Sequence, residues 1–272
     1  MFNTKCCSAF DITFFLVYHV YLTTNKSRPA IIMIIQNLKT DFYRIPLPVA
    51  LSDASHGTIT HFDLVTARIV TDDGLEGVGY TFTPGTGGSG IHALVDRDLR
   101  DVIVGQDPRR IEELWNRMWW HVHFAGRGGA LIFAISAIDI ALWDLAGKAA
   151  GEPWWRLLGG HKNRVRAYAG GVDLMFTLDA LITQTEGFLD QGFKAIKMKV
   201  GRRKLSEDVE RVARVRDILG ADLPLMVDAN MGWRVDEAIR GARAFAEHNV
   251  YWLEEPTIPD DYAGHARIAR EG

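Results

Sequence analysis

The hydrophobic and polar positions in the second half of the chain follow a repeating pattern. Apolar runs typical of buried strands cover residues 193–200, 223–227 and 250–253. Segments with the apolar spacing of an amphipathic helix lie between these runs. The alternation predicts strand, helix, strand, helix and strand, which is typical of the units of a (β/α)₈ barrel.

Each strand-like run ends in polar residues that can do chemistry. Lys197 and Lys199 end the first run, Asp228 and Asn230 follow the second, and Glu254 follows the third. Asp228 lies 29 residues after Lys199, and Glu254 lies 26 residues after Asp228. One barrel unit takes about 31 residues, so we expect these side chains at the carboxyl ends of neighbouring strands, where barrel enzymes have their active sites.

These residue types suit a metal-assisted proton abstraction. Neighbouring strands lie about 4.8 Å apart, so Asp228 and Glu254 can converge on one cation. Carboxylate oxygens favour a hard ion, usually Mg²⁺. Because side chains alternate along a strand, Lys197 and Lys199 face the same side. A lysine beside the cation should have a lowered pKa and act as a base.

Each motif has an ordinary structural explanation when it is taken alone. Paired lysines often form a solvated strand edge, Asp-x-Asn often forms a turn or a helix cap, and Glu-Glu-Pro is common in loops. The three motifs occur in order and one unit apart. This joint arrangement favours a shared site over three unrelated surface features.

The first half of the chain has a different pattern. Three strand-like runs and a turn at Asp72-Asp73-Gly74 predict a small antiparallel sheet over residues 34–45, 58–70 and 75–82. Helical patterns follow over residues 91–104, 108–120 and 131–150. The glycines between 85 and 90 lack the lysine and hydroxyl pair of a phosphate loop, so we interpret them as a mobile lid.

Residues 1–32 do not match the rest of the chain. The apolar run over 10–22 is shorter than the roughly 20 residues that span a membrane. A thin basic region and the lack of a small-residue cleavage site disfavour a signal peptide. We interpret the segment as an atypical leader from a mis-assigned start, with Met33 as the first residue; an export signal is the alternative.

Composition and net charge limit the kinds of partner that the protein can bind and the compartment in which we expect it. The 272 residues carry a net charge of −3, which disfavours a nucleic-acid binder because no basic excess can neutralise phosphates. The two cysteines are adjacent, Cys6 and Cys7, so a disulfide framework or a cysteine metal site is excluded. We predict a cytoplasmic protein that binds neither nucleic acid nor a membrane.

The motifs resemble a known family. Lys197-Met198-Lys199, Val227-Asp228-Ala229-Asn230 and Leu253-Glu254-Glu255-Pro256 resemble the mandelate racemase group of the enolase superfamily, and its acid-sugar dehydratases in particular. The resemblance begins near Met33 and extends through 137–144, 157–160 and 261–265. It implies an α/β fold: an α+β capping domain over 33–160, then a TIM-type (β/α) barrel of which 161–272 is about the first half.

The resemblance also implies an activity. It is the Mg²⁺-dependent abstraction of the proton next to a carboxylate, through an enediolate, and we expect dehydration of an acid sugar, an aldonate or aldarate. A racemase, a cycloisomerase and an inactive remnant are the alternatives. Asp228 and Glu254 would hold Mg²⁺, Lys199 would be the base, Lys197 would steady the substrate carboxylate, and Asn230 would donate a hydrogen bond to substrate.

Specificity in this family comes from two capping-domain loops, which correspond to residues 48–58 and 83–90. His56 and Arg127 are therefore candidates for substrate contact, although a surface or helix-capping role fits each equally well. The expected partner is a small-molecule carboxylate. For the full-length parent, a homo-oligomer is expected.

One departure from the family pattern is severe. The family's third metal-binding acid comes from the fifth strand, and a histidine with an aspartate partner comes from the seventh and sixth strands. Only 16 residues follow Pro256, and they contain none of these positions. We therefore expect this polypeptide to be unstable or inactive unless its record is truncated or it pairs with another chain.

Overall fold

The computed structural model describes residues 33–272. The predicted leader over 1–32 lies outside the described residues. The described part contains a three-stranded antiparallel sheet and a four-stranded parallel sheet, each covered by helices. This is the α/β architecture that the sequence predicted.

The antiparallel sheet has the order β1-β2-β3, with bounds Ile35–Asp53, Gly57–Thr71 and Glu76–Thr83. The inward positions of β2 alternate, and Val65, Ala67 and Ile69 are all buried. The predicted turn at Asp72-Asp73-Gly74 connects β2 to β3. Strand β1 continues eight residues beyond the predicted end at Ile45, so much of the expected 48–58 loop is a strand hairpin with a short tip.

Helices cover one face of this sheet. They are α1 Gly88–Ala93, a π-helical turn Leu94–Leu99, α2 Arg100–Ile103, α3 Ile111–Val122, α4 Ala130–Ala150 and α5 Trp154–Leu157. Helix α4 lies directly on strand β3: a Cβ added to Gly77 or Gly79 would come within 2.1 or 2.0 Å of the α4 carbonyl oxygens of Ala141 and Ala137. Glycine is required there because backbone contacts backbone.

Helix α4 is also the only helix in the described range that is long and apolar enough to cross a membrane. Half of its apolar window is buried inside the protein, against strands β2 and β3. That burial is typical of the core helix of a globular domain.

The parallel sheet has the order β4-β5-β6-β7, with bounds Ala169–Gly170, Ile196–Lys199, Leu225–Asp228 and Val250–Glu254. Helices α6 Leu178–Asp190, α7 Leu205–Leu219, α8 Val235–Ala246 and α9 Tyr262–Glu271 follow the strands in turn. Lys199 pairs with Asp228, and Asp228 pairs with Glu254. The register therefore places the three motif residues side by side at one edge of the sheet.

Local signals explain where these helices begin and end. Thr177 caps α6 by accepting a hydrogen bond from the Ala180 amide. Glu207 and Asp208 lie in the first turn of α7, and Gly220, with φ of +68°, ends that helix. The sequence predicted all three features.

Besides the longer β1, two further predictions differ from the structure. The strand expected over residues 165–172 is only Ala169–Gly170, and Val165 is 92% exposed. After Gly171 the chain leaves the sheet and pairs with the β1–β2 hairpin instead. The glycine segment proposed as a mobile lid is only partly a loop, because Gly88 begins helix α1 and packs against Phe42 and Asp63.

Candidate active site at the tips of the parallel strands

Four charged side chains meet at the carboxyl ends of β5, β6 and β7. Lys199 Nζ lies 2.7 Å from Asp228 Oδ2, and Lys197 Nζ lies 3.2 Å from the same oxygen. Lys197 Nζ also lies 2.6 Å from Glu254 Oε1. The side chains of Lys199 and Asp228 are almost fully buried, whereas Glu254 is one-third exposed. The structure thus brings together the predicted base Lys199, the predicted carboxylate-steadying Lys197 and the two predicted metal ligands, Asp228 and Glu254.

Two aromatic side chains border this cluster. The Lys197 ammonium lies 5.7 Å from the centre of the Tyr168 ring, a cation–π distance. Trp252 Nε1 donates to Glu254 Oε2 at 3.1 Å. These contacts orient Lys197 and Glu254.

The neighbouring charges shift the pKa values of Lys197 and Asp228. Burial lowers the pKa of Lys197, but its hydrogen bond to Glu254 and its contact with Asp228 outweigh burial, so the pKa is raised. The carboxylates of Glu254 and Asp228 are the charges that contact Lys197 here, whereas the predicted lowering of a lysine pKa concerned a lysine beside a bound cation and stays a prediction. Burial raises the pKa of Asp228, but hydrogen bonds from Lys199 and from the Asn230 amide hold it below its usual value.

Asn230 lies directly beside the charged cluster. Its backbone amide donates to Asp228 Oδ1 at 2.9 Å, and its Nδ2 donates to Glu255 Oε2 at 3.1 Å. Its Oδ1 is buried, with no hydrogen-bond partner among the described residues. Asn230 and Glu255 both have left-handed backbone angles, with φ of 41° and 43°. Strained backbone of this kind often accompanies functional sites.

The tip of the β1–β2 hairpin docks onto the same edge of the parallel sheet. Ser55 Oγ donates a hydrogen bond to the Asn230 carbonyl. The methyl group of Ala54 lies between two glycines, since a Cβ added to Gly201 or Gly232 would come within 2.8 or 2.7 Å of it. The hairpin is therefore a fixed part of the site's border in this structure.

His56 is held at this tip. Its Nδ1 lies 2.9 Å from Oδ2 of the buried Asp53, and Asp53 Oδ1 accepts the backbone amides of Ser55 and His56. Burial raises the pKa of Asp53, but these hydrogen bonds outweigh it, so the pKa is lowered. Arg127 lies in the loop before α4 with an exposed side chain, and among the described residues no contact joins it to the strand tips.

Sequence reasoning missed several residues that border the site. Asp173 and Arg211 contact the backbone of Lys199, Ser52 binds the segment after β4, and Tyr168 faces Lys197. Asp173 follows an apolar run, as Asp228 does, so its position was a usable signal. Arg211 lies in a charged stretch of α7, where nothing local distinguishes a buried arginine from a solvated one.

A cleft of about 650 Å³ extends from the amino ends of the parallel strands towards this cluster. Its lining includes Phe193, Pro224 and Tyr251 at the amino ends, together with Tyr168 and Trp252, which border the charged cluster. Among the described residues, no aspartate or glutamate lines this cleft. The candidate site is therefore at the carboxyl ends of the strands, where the four charged side chains lie.

Known families match both parts of the chain. The model of the mandelate racemase / muconate lactonizing enzyme N-terminal domain matches residues 39–159, and the enolase C-terminal domain-like model matches residues 180–272. The chain belongs to the enolase superfamily. The resemblance inferred from the sequence motifs is confirmed, as is the fold class.

Relatives within the superfamily carry several names. The 3,6-anhydro-alpha-L-galactonate cycloisomerase of Streptomyces coelicolor is 54% identical over 87% of this chain and 66% of its own length. The L-talarate/galactarate dehydratase of Salmonella typhimurium is 37% identical over 86% of this chain and 60% of its own length. This superfamily member thus spans about two thirds or less of these curated relatives.

Solved structures show the same relationship. A racemase from Streptomyces coelicolor A3(2) with bound magnesium has a TM-score of 0.86 and 54% identity, over 88% of this chain and 67% of that one. A mutant L-talarate/galactarate dehydratase with Mg and L-glucarate has a TM-score of 0.85 and 35% identity, over 91% of this chain and 64% of that one. Acid-sugar dehydratases and cycloisomerases are therefore the activities named among its relatives.

Proposed function

We propose that this chain carries the base and two metal-binding carboxylates of a Mg²⁺-dependent enzyme that removes the α-proton of a carboxylate substrate. The observation that carries the proposal is the cluster at the strand tips, where Lys199 and Lys197 contact Asp228 and Glu254 across three paired strands. The proton is weakly acidic, so positive charge near the developing enediolate must lower the barrier.

Asp228 and Glu254 could supply part of the ligand shell of a Mg²⁺ ion. Asp228 and Glu254 are hard oxygen donors on adjacent paired strands. Mg²⁺ is commonly held by one or two carboxylates, with water and substrate completing the shell. Among residues 33–272 no group of three or more acidic, histidine or cysteine side chains surrounds a common point, so these two are the ligands we assign. When bound, Mg²⁺ supplies positive charge opposite the substrate carboxylate.

Each residue then has a role that follows from its position. Lys199 Nζ, buried beside Asp228, accepts the α-proton. Lys197, bordered by Tyr168, contributes positive charge that steadies the substrate carboxylate. Asn230 donates one Nδ2 hydrogen to Glu255 Oε2 and donates the second to substrate.

For the substrate and outcome, we propose dehydration of an acid sugar. The dehydratases among the relatives, at 34–37% identity, support this activity. Cycloisomerisation through the same enediolate is the second candidate, and the 54% identical cycloisomerase favours it. His56, fixed by Asp53 at the hairpin tip, is the substrate contact that we propose from the capping region. Arg127 stays a candidate from the sequence pattern.

Three further proposals concern the domain organisation, the oligomeric state and the cellular compartment. The capping domain over 33–160 and the barrel part over 161–272 form the two domains. The full-length parent forms a homo-oligomer. The protein acts in the cytoplasm on a small-molecule carboxylate.

The test uses the full chain with sugar diacids and Mg²⁺ in deuterated water. Proton NMR should show Mg²⁺-dependent loss of the α-proton signal. A 2-keto product lighter than the diacid by one water would identify dehydration, whereas exchange of the α-proton without that product would favour the racemase or cycloisomerase alternative. Titration calorimetry should show Mg²⁺ binding.

A matched pair of variants makes the test specific to the site. Glu254→Gln should abolish Mg²⁺ binding, whereas Glu247→Gln, which changes an exposed acid after α8, should leave it unchanged. An aggregated chain on size-exclusion chromatography that neither binds Mg²⁺ nor exchanges protons would contradict the proposal and support an inactive remnant.

A further inference from the structure

The backbone of Lys199 lacks a neighbouring strand on one side. Towards β6, the Val200 amide donates to the Asp228 carbonyl at 2.9 Å. Towards β4, the last ladder bond runs from the Gly171 amide to the Lys197 carbonyl at 3.0 Å. Because β4 ends at Gly170, the amide and carbonyl of Lys199 face a position that no strand occupies. Buried backbone groups need partners.

Two side chains take the place of the missing strand. Asp173 Oδ1 accepts the Lys199 amide at 3.0 Å, and Arg211 Nη1 donates to the Lys199 carbonyl at 3.2 Å. Arg211 Nη2 also donates to the Asp173 carbonyl at 2.9 Å, and Gln184 donates to Asp173 Oδ2 at 2.7 Å. The side chains of Asp173 and Arg211 are 0% and 4% exposed. Both backbone groups of Lys199 are thus held by buried charges.

Buried charges are a costly way to satisfy two backbone groups. Removing an aspartate and an arginine from water carries a desolvation penalty that their attraction only partly offsets. Continuing β4 by three residues would supply a carbonyl and an amide without that penalty. The arrangement is better explained by what it fixes, namely the conformation of Lys199 at the strand end.

The segment that leaves the sheet binds the hairpin tip. The Ser52 amide donates to the Val172 carbonyl at 3.3 Å, and the Leu174 amide donates to the Ser52 carbonyl at 3.2 Å. The Met175 amide donates to Ser52 Oγ at 3.1 Å. Asp173 therefore contacts Lys199 through its side chain, while its backbone neighbours contact the hairpin that carries His56.

We propose that Asp173 and Arg211 are positioning residues that hold Lys199 so that its amine points into the site, and that Asp173 links this position to docking of the Ser52–His56 hairpin tip. Their importance for catalysis rests on the proposed role of Lys199 as the base. Neither residue contacts substrate. They act on the backbone of Lys199, two bonds from the start of its side chain.

The direct test compares the reactivity of two neighbouring amines in the full chain. An amine-reactive reagent is added in limiting amount, the chain is cleaved with a protease that does not cut at lysine, and mass spectrometry measures labelling at Lys199 and Lys197. In Asp173→Leu, which has no acceptor for the Lys199 amide, and in Arg211→Met, the ratio of Lys199 to Lys197 labelling should rise by about tenfold, as expected when a buried hydrogen bond to a charged group is lost.

Controls separate positioning from general loosening. Arg211→Lys keeps a cationic donor and should restore part of the original ratio. Thr185→Val removes a buried hydroxyl whose hydrogen bond stays within α6, and it should change the ratio by less than about twofold. Equal increases at both lysines, or an unchanged ratio in a folded Asp173→Leu chain, would overturn the proposal.

A measurement on the unaltered chain covers the case in which the variants do not fold. Amide hydrogen exchange should place the Lys199 amide among the slow amides of the parallel sheet, as slow as that of Val227. Fast exchange there would contradict the contact with Asp173. If the unaltered chain shows neither Mg²⁺ binding nor α-proton exchange, the proposed function fails, but the labelling ratio still decides the positioning role.

If α-proton exchange is present, it gives a further readout. Folded Arg211→Met should lower kcat and leave KM nearly unchanged, because the base is displaced and the substrate contacts are not. A change in KM alone would contradict a role in positioning the base.

Discussion

The two sheets of this protein are stabilised in different ways. The antiparallel sheet packs helix α4 against glycine backbone, and its core is aliphatic, with Leu38, Ile138 and Leu142 fully buried. The parallel sheet also has an apolar core, but its strand tips bury Lys199, Asp228 and Asp173. The antiparallel sheet also buries Asp63, which pairs with Arg44, so the difference is one of position: the parallel sheet gathers its buried charges at the strand tips of the candidate site.

The hairpin tip joins these two regions. Ser52 binds the segment after β4, and Ala54 and Ser55 contact the loops after β5 and β6. The antiparallel sheet therefore contributes to the site through a few contacts at one point. Variants at the tips of the parallel strands should therefore mainly change activity, and variants in the antiparallel sheet should mainly change stability.

The largest expected effect is the loss of α-proton exchange when a charged residue at the strand tips is replaced. Lys199→Met should reduce Mg²⁺-dependent α-proton exchange by about 10³-fold, within the range that a general base contributes. Lys194→Met changes an exposed lysine before β5 and should leave the exchange rate unchanged. Deuterium incorporation followed by NMR measures both rates, and circular dichroism checks folding. A Lys199→Met chain that exchanged at the original rate would show that the base lies elsewhere.

The next effect concerns the antiparallel sheet. Gly79→Ala forces a methyl group into the α4 backbone, 2.0 Å from the Ala137 carbonyl oxygen. We expect a loss of about 2 to 3 kcal/mol in the free energy of unfolding, measured by urea denaturation. Gly90→Ala places the same methyl group in open space and should change stability by less than about 1 kcal/mol. Equal stability of the two variants would contradict the close packing of β3 on α4.

The smallest effect concerns the hairpin that joins the regions. The pKa of Asp53 is below its usual value of 3.8 in the folded chain, so its ionised form stabilises the fold above the unfolded-state pKa. This contribution is lost as the pH falls through the folded-state pKa. Asp53→Asn should therefore destabilise the chain by about 1 kcal/mol near neutral pH.

The pH dependence sharpens this expectation. Urea denaturation of both chains should show a stability difference that is constant above the usual pKa of 3.8 and shrinks at lower pH. A difference that persisted in acid would mean that the carboxylate charge of Asp53 does not stabilise the hairpin tip.

Local sequence patterns predicted most of the elements and the motif residues at the tips. The amphipathic spacing of α6, the cap at Thr177 and the stop at Gly220 are short-range signals, and they placed helices within a few residues. The failures were the extended strand β1 and the shortened strand β4. The extension of β1 depends on its pairing with β2 as far as Asp53 and Gly57, and the end of β4 coincides with the pairing of Ser52 with Asp173. The second contact joins residues 121 positions apart, and no local pattern encodes it.

For the site, the sequence by itself determined which residue types end the three strands and, through their spacing, that Lys199, Asp228 and Glu254 lie side by side. Only the tertiary structure decided which charges touch, and therefore that the pKa of Lys197 is raised. It also decided that buried Asp173 and Arg211 hold the Lys199 backbone. The physical reason is the sequence distance over which each effect acts. Strand periodicity is set by a few consecutive residues, whereas charge pairing and burial depend on elements that only folding brings together.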